Sequence, residues 1–367
     1  MERIPKKYPI RFITPAFLGD ANQNGVWRTP PFKALIRQWW RVVKAGGKPI
    51  DPKELLDQEG ALFGQALDDQ KNNISQVRIK LDLCKGTCEA ERWKKYQFSN
   101  LTHPEVNSVR PKSDLYLGYG PVLPGGKIKG KTFIPPSPQN EVRNLVVSIP
   151  KKEEQTFNEV FKLIHLFGTV GGRSRNGWGS LALENVVFSK EEILEIFTPE
   201  NRKARDWLRD SAVNWETALE MDWCYALGWD GMEEQKNLLL WRTRNYNSWE
   251  KVMDKLGKVK IMFRTQFIFD PNNTNNALEK RHILAYPVTK HPYINWGNQG
   301  RSANQICFKV HEIPEGYIGL VYHLPHGLPQ PLRDKLTPND KNQIKNLERE
   351  VWSDVHNKLN QELTRLP

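Results

Sequence analysis

Cysteine is scarce in this chain, with four residues in 367. That excludes a disulfide framework and fits a reducing, cytoplasmic setting. Cys84 and Cys88 form the pair CKGTC, one residue longer than the commonest zinc knuckle. His103 could add a ligand but no fourth is at hand, so ordinary thiols are expected and no metal or other cofactor. No apolar run approaches a membrane span, and MERIPKKYPIRF lacks the apolar stretch of a signal peptide, so a membrane is not an expected partner. Acidic residues are in deficit too: 42 Asp and Glu face 54 Lys and Arg, a formal charge of +12. Such an imbalance suits a polyanionic partner.

What the chain has in abundance is aromatic surface, 10% of residues, including 13 Trp. Aromatic faces stack on unpaired bases while Arg and Lys hold phosphates, so the combination favours single-stranded nucleic acid over duplex. A Trp-rich core in a merely basic protein is the competing reading. Glycine is concentrated in GTVGGRSRNGWGS, Gly168 to Ser180. A Walker loop needs Lys and Ser/Thr after its second glycine, and a dinucleotide loop needs GxGxxG between strand and helix. Neither fits. Before the loop, Phe157, Val160, Phe161, Ile164 and Phe167 form one helical stripe, and after it SLALENVVF alternates like a strand. The loop ends a helix and starts a strand, the reverse of a nucleotide loop. It is a tight turn with solvent-facing arginines or a clamp for a nucleic-acid strand.

WRTPPFKALIRQWWRVVK is the most informative helix. Thr29 is expected to cap it, with Pro30 and Pro31 in the first turn. Phe32, Leu35, Ile36, Trp39 and Val43 form an apolar stripe, and Lys33, Arg37, Arg41 and Lys44 a basic one, with Trp40 on the border. A solvated face would normally mix signs to gain i,i+4 pairs, and this stripe contains no acid.

Elsewhere, IRFITPAFL reads as a first strand, ISQVRIKLDL as a second and EVRNLVVSIP as a third. Strand–helix–strand, insertion, strand–helix–strand is the split βαβ pattern. The expected fold is α+β, two ferredoxin-like domains in tandem. Residues 1–190 form the first, with an irregular insertion at about 84–138 that includes the basic PGGKIKGKTFIPPSP; 191–235 form a helical bridge. Residues 236–367 form a degenerate second domain with the helix NSWEKVMDKLGKVKIMF, strands ANQICFKV and GYIGLVYHLP joined by HEIPE, and a closing helix. NNTNN at 272–276 reads as a mobile loop.

Three segments taken together, TPAFLGD…WRTPPFKALIRQWWRVV, GTVGGRSRNGWGS and YPVT…NQGRSANQICFKV, resemble the RAMP superfamily of CRISPR proteins, and within it the first subunit of type III-B (Cmr) effector complexes. The resemblance implies a ribonucleoprotein subunit whose partners are guide RNA, complementary target RNA and the other Cmr subunits. Asn176 and Trp178 stand where the family commonly has basic or other aromatic residues. The resulting RNA-binding candidates are Lys33, Arg37, Trp40, Arg41 and Lys44 on the helix; Gly171, Gly172, Arg173, Ser174, Arg175 and Trp178 in the loop; and Arg301. In the loop, glycines would let RNA backbone approach, Arg173 and Arg175 would donate to phosphates, and Trp178 would stack on a base.

Catalysis is a separate question. Some RAMP proteins are metal-independent endoribonucleases, and such chemistry usually needs a histidine. None precedes His103, and His165 sits beside an apolar stripe, where a packed role is expected. The later histidines lack acid-rich spacing. Non-catalytic RNA binding ranks first, guide-processing nuclease second and pure scaffold third.

Overall fold

The computed structural model describes residues 2–65, 74–82, 87–105, 110–138, 141–184, 186–273 and 276–367. Cys84 and part of the NNTNN segment fall outside them. Strand β1 (Arg3–Phe12) is central in a sheet with β2 (Arg78–Leu81), β3 (Arg143–Pro150) and β4 (Leu181–Leu183). The order is β2-β3-β1-β4 and all neighbours are antiparallel. Helix α1 (Thr29–Ala45) and a further helix, α2 (Pro52–Phe63), connect β1 to β2; α3 (Glu154–Phe167) connects β3 to β4. Alternation buries Tyr8, Ile10 and Phe12 against α3 and α1, with the Tyr8 ring stacked on Phe161 at 3.6 Å.

Several expected boundaries move. The first strand begins at Arg3, and residues 13–18 leave the sheet to bridge at Ala16↔Ile134. Thr29 is already helical; the N-cap is Arg28, whose side chain makes no capping bond, while Pro30 and Pro31 do occupy the first turn. The stripe Phe157, Val160, Phe161, Ile164 and Phe167 is buried throughout, and the glycine loop does run from helix to strand.

The second half repeats the pattern. Strand β5 (Leu240–Arg242), α4 (Trp249–Thr265), the hairpin β6 (Ile306–Ile313) and β7 (Gly316–His323), α5 (Pro338–Glu362) and β8 (Thr364–Arg365) build a sheet in the order β6-β7-β5-β8, again antiparallel. The two sheets share connectivity and strand order. Register runs from Ile306↔His323 to Ile313↔Gly316, so most of HEIPE is strand and only Pro314 and Glu315 turn. Between the halves, the expected helical bridge is a short α-helix (Lys190–Ile196), a 3-10 helix (Arg202–Ser211) and a strand (Ala212–Asn214) of a three-stranded sheet. Arg205, fully buried, explains the irregular backbone: its guanidinium donates to the carbonyls of Ile196, Thr198, Pro199 and Pro367. The insertion contains a helical turn (Ser113–Gly118) and a small hairpin (Val122–Leu123 with Lys127–Ile128).

The halves are locked at the end of α3. A helix leaves its last four carbonyls without intrahelical partners. Here Lys309 Nζ donates to the carbonyls of Ile164 (3.1 Å) and His165, the His311 ring bonds that of Leu166 at 2.8 Å, and the Tyr322 hydroxyl donates to that of Phe167 at 2.8 Å. All three side chains come from β6 and β7. No helix among the described residues is long and apolar enough to cross a membrane.

Candidate nucleic-acid interface

The basic stripe of α1 is covered by α2, which follows a regular start: Asp51 accepts from Lys53 N and Pro52 takes the first turn. Helix α2 brings Glu59, 1% exposed, beneath Arg37 and Arg41, and both guanidinia bond its carboxylate. Burial alone would raise the Glu59 carboxyl, but hydrogen bonds and charge from Arg41 and Arg37 bring it below the ordinary carboxylate value. The stripe lacks acid on its own helix, yet α2 supplies one. Lys33 donates to Phe63 O (2.7 Å) at the end of α2 and to Ser75 Oγ (3.3 Å); Lys44 faces Glu153 at 3.5 Å. These two lysines serve local structure, as cations at a helix end do.

The tryptophan assignments need correction. Trp40, 1% exposed, meets the Phe63 ring edge-on at 5.6 Å, so α2 turns the border position into core. Trp178 is fully buried among Phe17, Trp93, Phe98 and Trp249, with ring centroids 5.4–6.3 Å away. Neither offers a face to a base. Large aromatic surfaces gain most when buried, and the junction between halves gives Trp178 that burial.

The glycines also serve the chain itself. A Cβ on Gly171 (φ +104°) would lie 2.8 Å from Phe17 O, and Gly172 N donates to that carbonyl at 2.9 Å. The loop then pairs with β6: Phe308 N donates to Arg175 O at 2.9 Å, and Val310 N to Ser180 Oγ at 2.9 Å. It thereby carries first-half residues onto the second half.

That crossing assembles the site. A recess of about 660 Å³ is lined by Arg173, Ser174, Arg175, Lys260, Arg264 and Arg301, and among the described residues no Asp or Glu lines it. A second recess of about 700 Å³ shares Arg175 and Arg301 with the first and adds Arg37 and Arg41, with Asp222 the one lining carboxylate among the described residues. Together they form one basic trough across both halves. Arg37 and Arg41 are paired with Glu59, whereas four of the trough's other cations are held by neutral groups: Arg173 Nε donates to Tyr119 O (2.6 Å), Arg175 to Asn304 O (2.9 Å), Arg301 to Asn298 O (2.7 Å) and Lys260 to Asn176 Oδ1 (2.7 Å). The three guanidinia are therefore oriented by carbonyls and not neutralised by them. Burial lowers the Lys260 ammonium to about 7, with Arg264 and Arg173 adding to the effect.

Lys260 and Arg264 were not among the sequence candidates. Their i,i+4 spacing on α4 is visible in the sequence, but Lys251, Lys255 and Lys258 compete on the same helix. His326 was missed as well. It lines the second recess, Nδ1 contacts Gly327 O at 2.7 Å, and burial with nearby Arg175 lowers it to about 4. His165 is packed, 2% exposed, and lines a separate recess with Arg11 and His311. Among the described residues no three His, Cys, Asp or Glu side chains gather as metal ligands.

Residues 10–182 match the RAMP superfamily. Among solved structures, the crystal structure of Cmr1 from Pyrococcus furiosus in its apo form is similar, with a TM-score of 0.51 and 15% identity over 89% of this chain and 90% of that one. A chain in the cryo-EM structure of the type III-B Cmr-beta complex bound to cognate target RNA aligns with a TM-score of 0.46 and 12% identity, over 97% of this chain and 100% of that one. No curated protein matches the chain in sequence. The likeness to Cmr1 is one of fold, a mixed α/β architecture with several sheets. The match to the RAMP superfamily covers the stretch that includes α1, α3 and the glycine loop.

Proposed function

We propose that the chain is a non-catalytic RNA-binding subunit of a type III-B CRISPR effector complex, contacting guide RNA, captured target RNA or both, built on two ferredoxin-like domains in tandem. The observation that carries this reading is the trough, where Arg173, Arg175, Lys260, Arg264 and Arg301 converge from both halves beside the Glu59-paired Arg37 and Arg41, with Asp222 the one carboxylate among the described lining residues. Phosphate is the anion such a surface fits, and the guanidinia of Arg173, Arg175 and Arg301, held by carbonyls, remain free to donate to it. The repeated strand order supports the tandem reading, and the fold shared with Cmr1 supports the type III-B assignment.

A nuclease reading has one specific observation behind it, His326 in the trough. Its imidazole is neutral at pH 7 with Nδ1 bonded to Gly327 O, and a group lowered to about 4 is a weak base. The test is affinity for single-stranded RNA as a function of salt, with product analysis on a denaturing gel. Each phosphate neutralised should add about −0.7 to the slope of log K against log salt, and the RNA should stay intact. A flat salt response overturns the reading. Discrete products that vanish in His326→Ala would replace it with the nuclease.

A further inference from the structure

We propose that the RNA path leaving the trough at Arg173 continues onto the hairpin of residues 119–131, where Tyr119 offers a stacking plane to an unpaired base and Lys127, Lys129 and Lys131 hold flanking phosphates. This rests on the trough being an RNA site, and it gives that site a preference for single strands.

Trp40 and Trp178 offer the trough no stacking face; half-buried Trp223 lines its second recess, and Tyr119 adds a more exposed ring at the edge of the first. It is among the few large side chains with apolar surface left exposed, at 62%. Its position is fixed from the trough side: Arg173 Nε donates to Tyr119 O at 2.6 Å, and Asn176 Nδ2 to Leu117 O at 2.6 Å. From Tyr119 the chain turns into the hairpin through the Tyr119↔Val122 bridge, and Lys129 N closes it by donating to Pro121 O at 2.8 Å. Lys127, Lys129 and Lys131 are all exposed where the chain leaves the hairpin, with half-buried Ile128 and Gly130 between them.

None of these lysines has an ion-pair partner among the described residues. Glu89 and Glu91 on the adjoining segment, which also carries Arg92, Lys94 and Lys95, pair with none of them. An exposed aromatic beside unpaired cations, continuous with a basic trough, is the chemistry of single-strand binding: a π-face reads any base, while lysines follow the backbone. A duplex hides its base faces, so Tyr119 discriminates while the lysines attract both forms.

The experiment uses the full chain and two probes, a short single-stranded RNA without self-pairing and a duplex of the same length, with melting temperature as the folding control. Tyr119→Ala should weaken single-strand binding roughly 5- to 150-fold, as loss of one base stack does, with duplex binding and melting unchanged. Tyr119→Phe should bind like the parent. Replacing Lys127, Lys129 and Lys131 by Gln should reduce the single-strand salt slope by about 2. If Tyr119→Ala binds like the parent while Arg175→Glu loses binding, the hairpin extension is wrong and the trough stands. If the parent binds neither probe, the RNA reading falls and this inference with it.

Discussion

Helices α1 and α4 occupy the same place in two sheets of identical strand order, each following the first strand of its half, yet they handle charge in opposite ways. On α1, Arg37 and Arg41 share the buried Glu59, a carboxylate delivered by α2. On α4, among the described residues, the Lys260 side chain bonds only Asn176 Oδ1, and that of Arg264 reaches only the Tyr116 hydroxyl at 3.5 Å. Topology sets where the helix lies; what covers it sets whether its cations are spent on structure or left for a ligand. The halves differ in cover, and the glycine loop brings the uncovered charge of both into one trough.

The strongest way to break the arrangement is at the junction. Trp178 belongs to the first half by sequence but packs on Trp249 of α4 and on Trp93 of the insertion. Trp178→Ala should leave a cavity that cannot collapse and cost roughly 3–5 kcal/mol, measured by denaturant melts. Loss of less than about 1 kcal/mol would mean the halves do not depend on this contact.

Removing the cover's charge sharpens the comparison. Glu59→Gln leaves two guanidinia without their carboxylate. The cost should be about 1–3 kcal/mol, below that of a fully buried pair because both arginines are about a third exposed to water. RNA affinity should rise at the same time, since α1 would then resemble α4. The pH signature has a definite sign. The Glu59 carboxyl lies below its unfolded value, so its stabilisation is complete above about pH 4.3 and is lost as pH falls through the folded value. Glu59→Gln should therefore be less sensitive to acid than the parent.

Helix α2 also explains which parts were legible in the sequence. Strong periodicity placed α1, α3, α4, α5 and the central strands, because apolar stripes such as Phe157–Phe167 answer directly to burial. The arginines of the loop and Arg301 do reach the trough. The omission of DPKELLDQEGALF as a helix undid the rest: it left Trp40 on a border and Arg37 and Arg41 free, when α2 covers all three. Its signals were local and readable, Asp51 before Pro52 with Leu55, Leu62 and Phe63 on one face. The convergence of Lys260 with Arg173 was not readable in that way, because residues 87 apart meet only through the pairing of the glycine loop with β6.

A smaller effect tests the open helix. Lys260, at about 7, lies below the ~10.4 of an unfolded lysine, so the unfolded chain binds more protons between those values and stability rises with pH across that window. A bound phosphate would favour the charged ammonium against Arg264 and Arg173, which face it, so binding should take up a proton. Affinity for RNA should fall as pH rises from about 6 to about 8, by at most roughly tenfold per unit. Lys260→Arg should flatten that dependence. A pH-independent parent would show that Lys260 makes no contact with phosphate.

The smallest expected effect compares single arginines on the covered and uncovered sides. Arg175 is tied to Asn304 O and faces both recesses, so Arg175→Ala should remove a phosphate contact and reduce the salt slope by about 0.7. Arg37 already has part of its charge spent on Glu59, and Arg41 Nη2 keeps a bond of 2.8 Å to the same carboxylate when Arg37 is gone. Arg37→Ala should cost less than about 1 kcal/mol of stability and change RNA affinity less than Arg175→Ala does. Affinity and melting temperature for the two variants decide it. If Arg37→Ala loses as much binding as Arg175→Ala, the Glu59 pair opens when RNA arrives, and the covered helix contributes to the trough as fully as the open one.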